Sequence, residues 1–324
     1  MQDEPVSRRE FLSRSGKAAG VAALACVGGW WLHEPERHPF ARRTEAAVIR
    51  DLRVSGITPS LVVGTGSAPA AVTAAVLAGL GGMDQFISKG DTVVVKPNIG
   101  WDRRPEQAAN TNPDVVAEVV RQCVAAGASK VYVTDITCND PTRCYNRSGI
   151  AAAAREAGAE VLPPSEARLR EVNVGGAMLG MQKVFDVYLE ADKVINLPIA
   201  KHHSLTKVSL GMKNLYGILG GNRSRLHQDI HNSLADLGNF LRPTLVIVDA
   251  WRILLRNGPQ GGSLDDVEER RSIVASVDQV AIDSYAGATY FGLTADDMPW
   301  LALAERYGLG TAAYETLPMK EVQA

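Results

Sequence analysis

Net charge is nearly absent from this 324-residue chain: 34 Lys and Arg stand against 36 Asp and Glu, leaving −2 at pH 7 with His neutral. Such a balance gives no general field for a polyanion, so nucleic acid is not an expected partner and any anion must be held by a local cluster. Cysteine is scarce as well. The four thiols, Cys26, Cys123, Cys138 and Cys144, lack the four tightly spaced thiolates an iron–sulfur cluster needs, and none is expected. Cys138 and Cys144, flanking a short loop, are open to pairing or to remaining two loop thiols. With 46% hydrophobic and 22% charged residues, the chain can bury a core and belongs with globular proteins.

The N-terminus carries an address. Ser7-Arg8-Arg9-Glu10-Phe11-Leu12 matches the twin-arginine export signal and precedes Lys17 and an Ala/Gly-rich stretch to Leu32. That stretch is shorter than the roughly 20 apolar residues that cross a bilayer. Residues 1–34 are therefore expected to be a signal peptide, or an anchor on the outer side of the inner membrane if uncleaved. Residues 35–59 are expected as a connector and 60–324 as a single α/β domain, with a two-lobed form left open. The expected location is periplasmic, and the twin-arginine translocase is an expected partner. That route carries folded proteins, often with a cofactor loaded.

From Ser60 onward, short apolar strands alternate with helical segments. Ser60 to Val63, Thr92 to Val95, Lys130 to Thr134, Glu160 to Leu162, Lys193 to Leu197 and Leu245 to Val248 read as strands. Helices are expected up to Leu80, over Pro113 to Ala126, Ile150 to Ala157 and Val277 to Phe291, with a late one near Leu301 to Tyr307. Val184 to Glu190 reads as strand or helix. Alternation of this kind predicts a mostly parallel sheet with helices on both faces. Gly64-Thr65-Gly66 is not read as a dinucleotide loop, because Pro69 replaces the third glycine; Ser67 as a helix N-cap explains the same letters.

Open parallel sheets bind ligands outside the carboxyl ends of their strands. Here those ends are polar: Lys96 and Asn98, Asp135, Asn196 and Asp249. Any one would read as a turn or cap residue, but four strand ends together point to a shared site. The strand ending at Asn196 runs into KHHSLTKVSLGMKNLYGILGGNRSRLHQDIH, Lys201 to His231, which holds four of the chain's six histidines. His227 and His231 are spaced i, i+4 and would share a face if that segment is helical, which suits metal ligation with His203. Lys213, Arg223 and Arg225 suit a carboxylate or phosphate. Lys213, in the mainly apolar Gly211 to Gly217, is also a candidate nucleophile or Schiff-base former.

Val95-Lys96-Pro97-Asn98, Thr111-Asn112-Pro113, Ile195-Asn196-Leu197-Pro198, Lys201 followed by His203 and Thr206, Lys213-Asn214-Leu215-Tyr216-Gly217, Asn257-Gly258-Pro259 and Ser276 to Asp283 resemble the motif series of the domain-of-unknown-function 362 family. The resemblance covers about Ser60 to Leu293. It implies relationship rather than reaction, because the family's activity is not established. Some relatives carry a ferredoxin-like cysteine segment that this chain does not have. The order His203, Lys213 and then His227 or His231 is also similar to the nickel-pincer lactate racemase family, whose Lys holds the cofactor covalently; Ser209-Leu210-Gly211 only partly matches that family's glycine-rich stretch.

The expected function is an exported enzyme acting on a small anionic molecule by redox chemistry or racemase-like proton or hydride transfer. A transition metal or metal-containing organic cofactor fits the expectation. His203 and Lys213, with His202 as alternate, are the candidate catalytic residues. Lys96, Asn98, Asp135, Asn196, Lys201, Asn214 and Asp249 are candidates for substrate binding, and His203, His227 and His231 for metal. A non-catalytic periplasmic anion- or metal-binding protein, or an accessory subunit with an exported redox partner, is the alternative.

Overall fold

The computed structural model describes Arg9, residues 46–221 and residues 223–324, with only the backbone of Arg225. Apart from Arg9, the export-signal reading lies outside the described residues. The compact unit runs Ala46–Ala324. Residues 46–59, expected as a connector, belong to it: Arg50–Asp51 pair in parallel with Leu241–Arg242, and Leu52 is buried. No helix among the described residues is long and apolar enough to cross a membrane.

Ten strands form the main sheet: β1 Leu61–Thr65, β2 Thr92–Pro97, β3 Lys130–Val133, β4 Glu160–Val161, β5 Lys193–Leu197, β6 Ile199–His203, β7 Lys207–Ser209, β8 Leu245–Leu254, β9 Val267–Ser276 and β10 Met319–Gln323. Their order is β10-β1-β9-β8-β5-β2-β3-β4, with β6 beside the outer half of β8 and β7 hairpinned onto β6. β8, β5, β2, β3 and β4 are parallel, and β9 runs antiparallel to both its neighbours. The fold is thus α/β with a mixed, mostly parallel sheet, as the alternating pattern implied.

Strand side chains alternate between the two faces of the sheet, and the apolar runs use both. Val93, Val95, Val131, Val133, Ile195 and Ile247 pack under the helices Pro69–Gly79, Pro113–Ala125 and Ile150–Glu156. Val94, Val194, Val246 and Val248 face the helices Ile230–Phe240, Gln279–Phe291 and Trp300–Arg306 on the other side. Buried on both sides, the central strands need no polar face, which is why they read as continuous Val/Ile runs.

Several local expectations change. The N-cap of the first helix is Ala68, without a side-chain bond, rather than Ser67; Pro69 at the first helical position is enough to start it. Val184 to Glu190 is both things in turn, the end of a strand Met181–Phe185 and then a helical turn Val187–Glu190. The helix at Val277 begins two residues later, at Gln279, where Asp278 caps Val280 and Ala281. β9 was not visible in the sequence because Glu269, Arg270 and Arg271 in its first half face solvent.

Candidate active site

β2 and β5 lie in register, Lys96 beside Asn196, so that both strands deliver polar residues at one level of the carboxyl edge. Lys96 is 0% exposed and donates to Asp135 Oδ1 at 2.7 Å; Asp135 Oδ2 accepts from the Ile99 backbone N–H at 2.7 Å. Burial pulls the Lys96 amine down and Asp135 opposes that shift. Gly217 closes over this pair, where a Cβ would collide with Asp135 Oδ1 and Lys96 Nζ. Asn196 donates to Gly211 O at 2.8 Å and accepts from Asn214 Nδ2 at 2.8 Å; Asn214 also donates to Lys96 O and accepts from Asn98 Nδ2 at 3.1 Å. This is a satisfied polar floor.

Above it a cavity of about 340 Å³ is lined by Asn98, Trp101, Asp135, Cys138, Lys201, His203, Lys213, Asn214, Tyr216, Arg223 and His227, among others. Lys201 sits on β6, 1% exposed, and donates to Ala109 O at 2.6 Å and Asn98 Oδ1 at 2.9 Å. Lys213 is 8% exposed. Its Nζ lies 3.7 Å from the centre of the Tyr216 ring and makes no hydrogen bond among the described residues. Neither lysine forms an ion pair among the described residues. Burial, the dominant cause, lowers both amines from 10.5 to about 7; Arg223 adds to this at Lys213, and Lys213 and Lys96 add to it at Lys201.

The two cavity histidines are held in complementary tautomers. His203 Nδ1 accepts from the Leu205 backbone N–H at 3.1 Å, so the proton of the neutral ring is on Nε2, a donor. Burial and then Lys213 push this imidazole down to about 3. His227 Nδ1 lies 3.2 Å from the Arg223 carbonyl, which can only accept. Its proton is therefore on Nδ1 and Nε2 keeps a free lone pair. Burial, then Lys213, lowers its basicity too. The Tyr216 ring packs against His227 with centroids 5.5 Å apart, so one aromatic side chain supports both Lys213 and His227.

The segment carrying Lys213 is fixed from behind. Asp283, fully buried on the helix Gln279–Phe291, accepts from Gly211 N at 2.7 Å and Met212 N at 3.0 Å, capping the short helix Gly211–Asn214. Burial raises its carboxyl to about 7. Asp283 had been seen only as part of a motif. Thr111 likewise pins the Asn98 loop, accepting from Asn98 N and donating to Leu197 O, both at 2.8 Å.

Of the residues singled out in the sequence, Asn98, Asp135, Lys201, His203, Lys213, Asn214 and His227 line the cavity, and Lys96 and Asn196 form its floor. Asp249 does not line it: its two oxygens take the Asn112 and Trp251 backbone N–H groups at 2.7 and 2.9 Å, and burial raises it to about 6. His202 Nδ1 instead accepts from Gly258 N at 3.1 Å, holding the Asn257-Gly258-Pro259 loop. Trp101, Cys138 and Tyr216 line the cavity and had no assigned role. Tyr216 had a signal in the Lys213 to Gly217 motif; Trp101 and Cys138 had none beyond following a polar strand end. Cys138 and Cys144 are unpaired.

A metal centre built on His203, His227 and His231 does not fit this arrangement. Asp229 caps a new helix at Ile230, so His227 ends a 3₁₀ turn, His231 begins an α-helix, and the i, i+4 face never forms. His231 stacks on Trp300, centroids 5.8 Å apart and 7° from parallel. His203 presents an N–H where a ligand lone pair would be needed. Among the described residues no group of three or more His, Cys, Asp or Glu is placed to hold a metal ion. A larger cleft of about 580 Å³ lies between the Asp51–Pro59 stretch and Asp278, but there Asp51 and Arg53 satisfy each other.

Residues 93–288 match the family described as domain of unknown function (DUF362), and the chain belongs to that family. It is 30% identical over 250 residues to a thylakoid-associated protein of Synechocystis sp. (strain ATCC 27184 / PCC 6803 / Kazusa), a match covering 74% of this chain and 75% of that protein. Among solved structures it is similar to the lactate racemase apoprotein of Thermoanaerobacterium thermosaccharolyticum, with 11% identity and a TM-score of 0.40. That match covers 74% of this chain and spans 58% of the other, and no residue role is taken from it.

Proposed function

We propose that the protein is an enzyme acting on a small anionic molecule bound in the cavity between Asn98, Lys201, Lys213 and His227. The observation that carries this reading is the pair of buried lysines, Lys201 and Lys213, facing one small cavity whose carboxylate, Asp135, is already taken by Lys96. A buried cation without a counter-charge is costly, and an anion entering the cavity supplies one. A volume of about 340 Å³ suits a small molecule.

Catalysis rather than storage is supported by the proton-handling groups that meet there. Lys201 gives or takes a proton near neutrality, His203 Nε2–H donates to an oxygen, and His227 Nε2 offers a lone pair. Proton transfer at a carbon beside the anionic group is the reaction class these groups supply. Export by the twin-arginine translocase to the outer side of the inner membrane rests on Ser7 to Leu12, and the thylakoid association of the cyanobacterial relative is compatible with a membrane-adjacent location.

Thermal unfolding with millimolar acetate, pyruvate, malonate or phosphate tests the binding reading. At least one anion should raise the midpoint. The rise should shrink as pH increases through about 7, where both lysines lose charge, and should vanish in Lys201→Met/Lys213→Met. No anion effect, or an unchanged effect in the double variant, contradicts the reading.

A further inference from the structure

Lys201 and Lys213 are not equivalent, and their difference carries information about the bound molecule. Lys201 spends two of its protons on Asn98 Oδ1 and Ala109 O, contacts that fix the group and favour its protonated form. Among the described residues Lys213 Nζ has no hydrogen-bond acceptor. Its Nζ rests on the face of Tyr216 inside the cavity, and the backbone beneath it is locked by both oxygens of Asp283 and by the Asn196–Asn214 bond. An amine meant only to attract an anion gains from acceptors that keep it charged. One that must expose its lone pair gains from having none, and from a rigid support. The ring face and Cys138 favour the cation, but burial, the largest cause, and the Arg223 guanidinium pull the amine down to about 7.

We infer that Lys213 forms an imine with the carbonyl carbon of a small 2-oxo acid whose carboxylate is held by Arg223. This deepens, and rests on, the anion-site reading above. Arg223 suits the carboxylate: it lines the cavity, and of its five N–H groups the Ile136 and Thr137 carbonyls at 3.0 and 2.7 Å and Cys138 Sγ at 3.9 Å take three. In the step, the Lys213 lone pair forms the N–C bond while the carbonyl π pair moves to oxygen, which takes a proton from the Lys201 ammonium. The Lys213 nitrogen gives up a proton to His227 Nε2. The carbinolamine hydroxyl then takes that proton back from His227 Nε2 and leaves as water, and the nitrogen lone pair completes C=N with one N–H retained. No oxidant or reductant is consumed. The resulting imine, when protonated, draws electrons from the neighbouring carbon, which is what proton transfer at that carbon requires.

The test uses the full chain with pyruvate and sodium cyanoborohydride, followed by intact mass and peptide mapping, with propionate as an anion that has no carbonyl. The expected result is one adduct per chain on the peptide carrying Lys213, slowed at least tenfold by excess propionate and absent in Lys213→Arg and Lys213→Met. Lys201→Met should slow its formation at least tenfold without moving it. Adducts scattered over surface lysines, or none on Lys213 while pyruvate and propionate still raise the thermal midpoint, overturn the imine and leave the anion site standing. If neither molecule shifts the midpoint while malonate or phosphate does, the imine alone falls; if no anion shifts it, both readings fall. Mapping of the wild-type protein decides the matter even if a variant does not fold.

Discussion

Lys96 and Lys213 are both buried at the carboxyl edge of one sheet, yet Lys96 meets Asp135 at 2.7 Å while Lys213 meets only an aromatic face at 3.7 Å. Beneath the cavity every polar group has a partner: Lys96 with Asp135, Asn196 with Asn214, Asp249 with two backbone N–H groups. Lining it, three cations, Lys201, Lys213 and Arg223, form no ion pair among the described residues, and two histidines are held in complementary tautomers. Both regions are costly to desolvate, but only the floor is compensated from within the protein. The floor is built to hold its shape, and the cavity is built to be completed by something else.

The sharpest way to break this contrast is to remove a partner from the floor. Asp135→Ala leaves Lys96 buried without its carboxylate and Ile99 N without an acceptor. It should cost about 3–5 kcal/mol in denaturant unfolding with an unchanged slope. A loss below about 1 kcal/mol would show that the floor relaxes around its charges.

The same operation in the cavity should do far less. Lys213→Met removes an uncompensated cation and one ring contact worth about 0.5–1 kcal/mol, and should leave stability at pH 7 equal or higher. Its pH signature has a definite sign. An amine at about 7 in the folded state and 10.5 unfolded binds fewer protons when folded across that window, so wild-type stability rises with pH between them. Each such lysine contributes about 1.4 kcal/mol per pH unit, and Lys213→Met should flatten the rise by one lysine's share. An unchanged profile would mean that Lys213 titrates as an ordinary surface lysine.

The fold was legible where burial made strands uniformly apolar, as in Val93 to Val95 and Leu245 to Val248. β9 was not, because a strand half in solvent carries the charges of a loop. Within the site, Lys201, His203 and Lys213 could be found because a strand end led directly into them. The sequence could not separate Asp249, a buried acceptor for two backbone groups, from Asp135, which reaches the cavity, since both are carboxylates near a strand end. The His227/His231 pair misled for a local reason. Asp229 between them starts a new helix, and i, i+4 spacing means a shared face only within one helix. Tyr216, which supports Lys213 and His227 together, stands in the Lys213 to Gly217 motif, but its residue type does not separate a cavity-lining aromatic from one that only packs in the core.

Lysine side-chain NMR measures directly whether Lys201 and Lys213 are uncompensated amines poised near neutrality. Titration of ¹³C-labelled lysine, with the two signals assigned through Lys201→Met and Lys213→Met, should show both changing near pH 7, well below the ordinary lysine value of about 10.4. A bound carboxylate should move both upward. Two signals that titrate above pH 10 and ignore added anion would contradict the account.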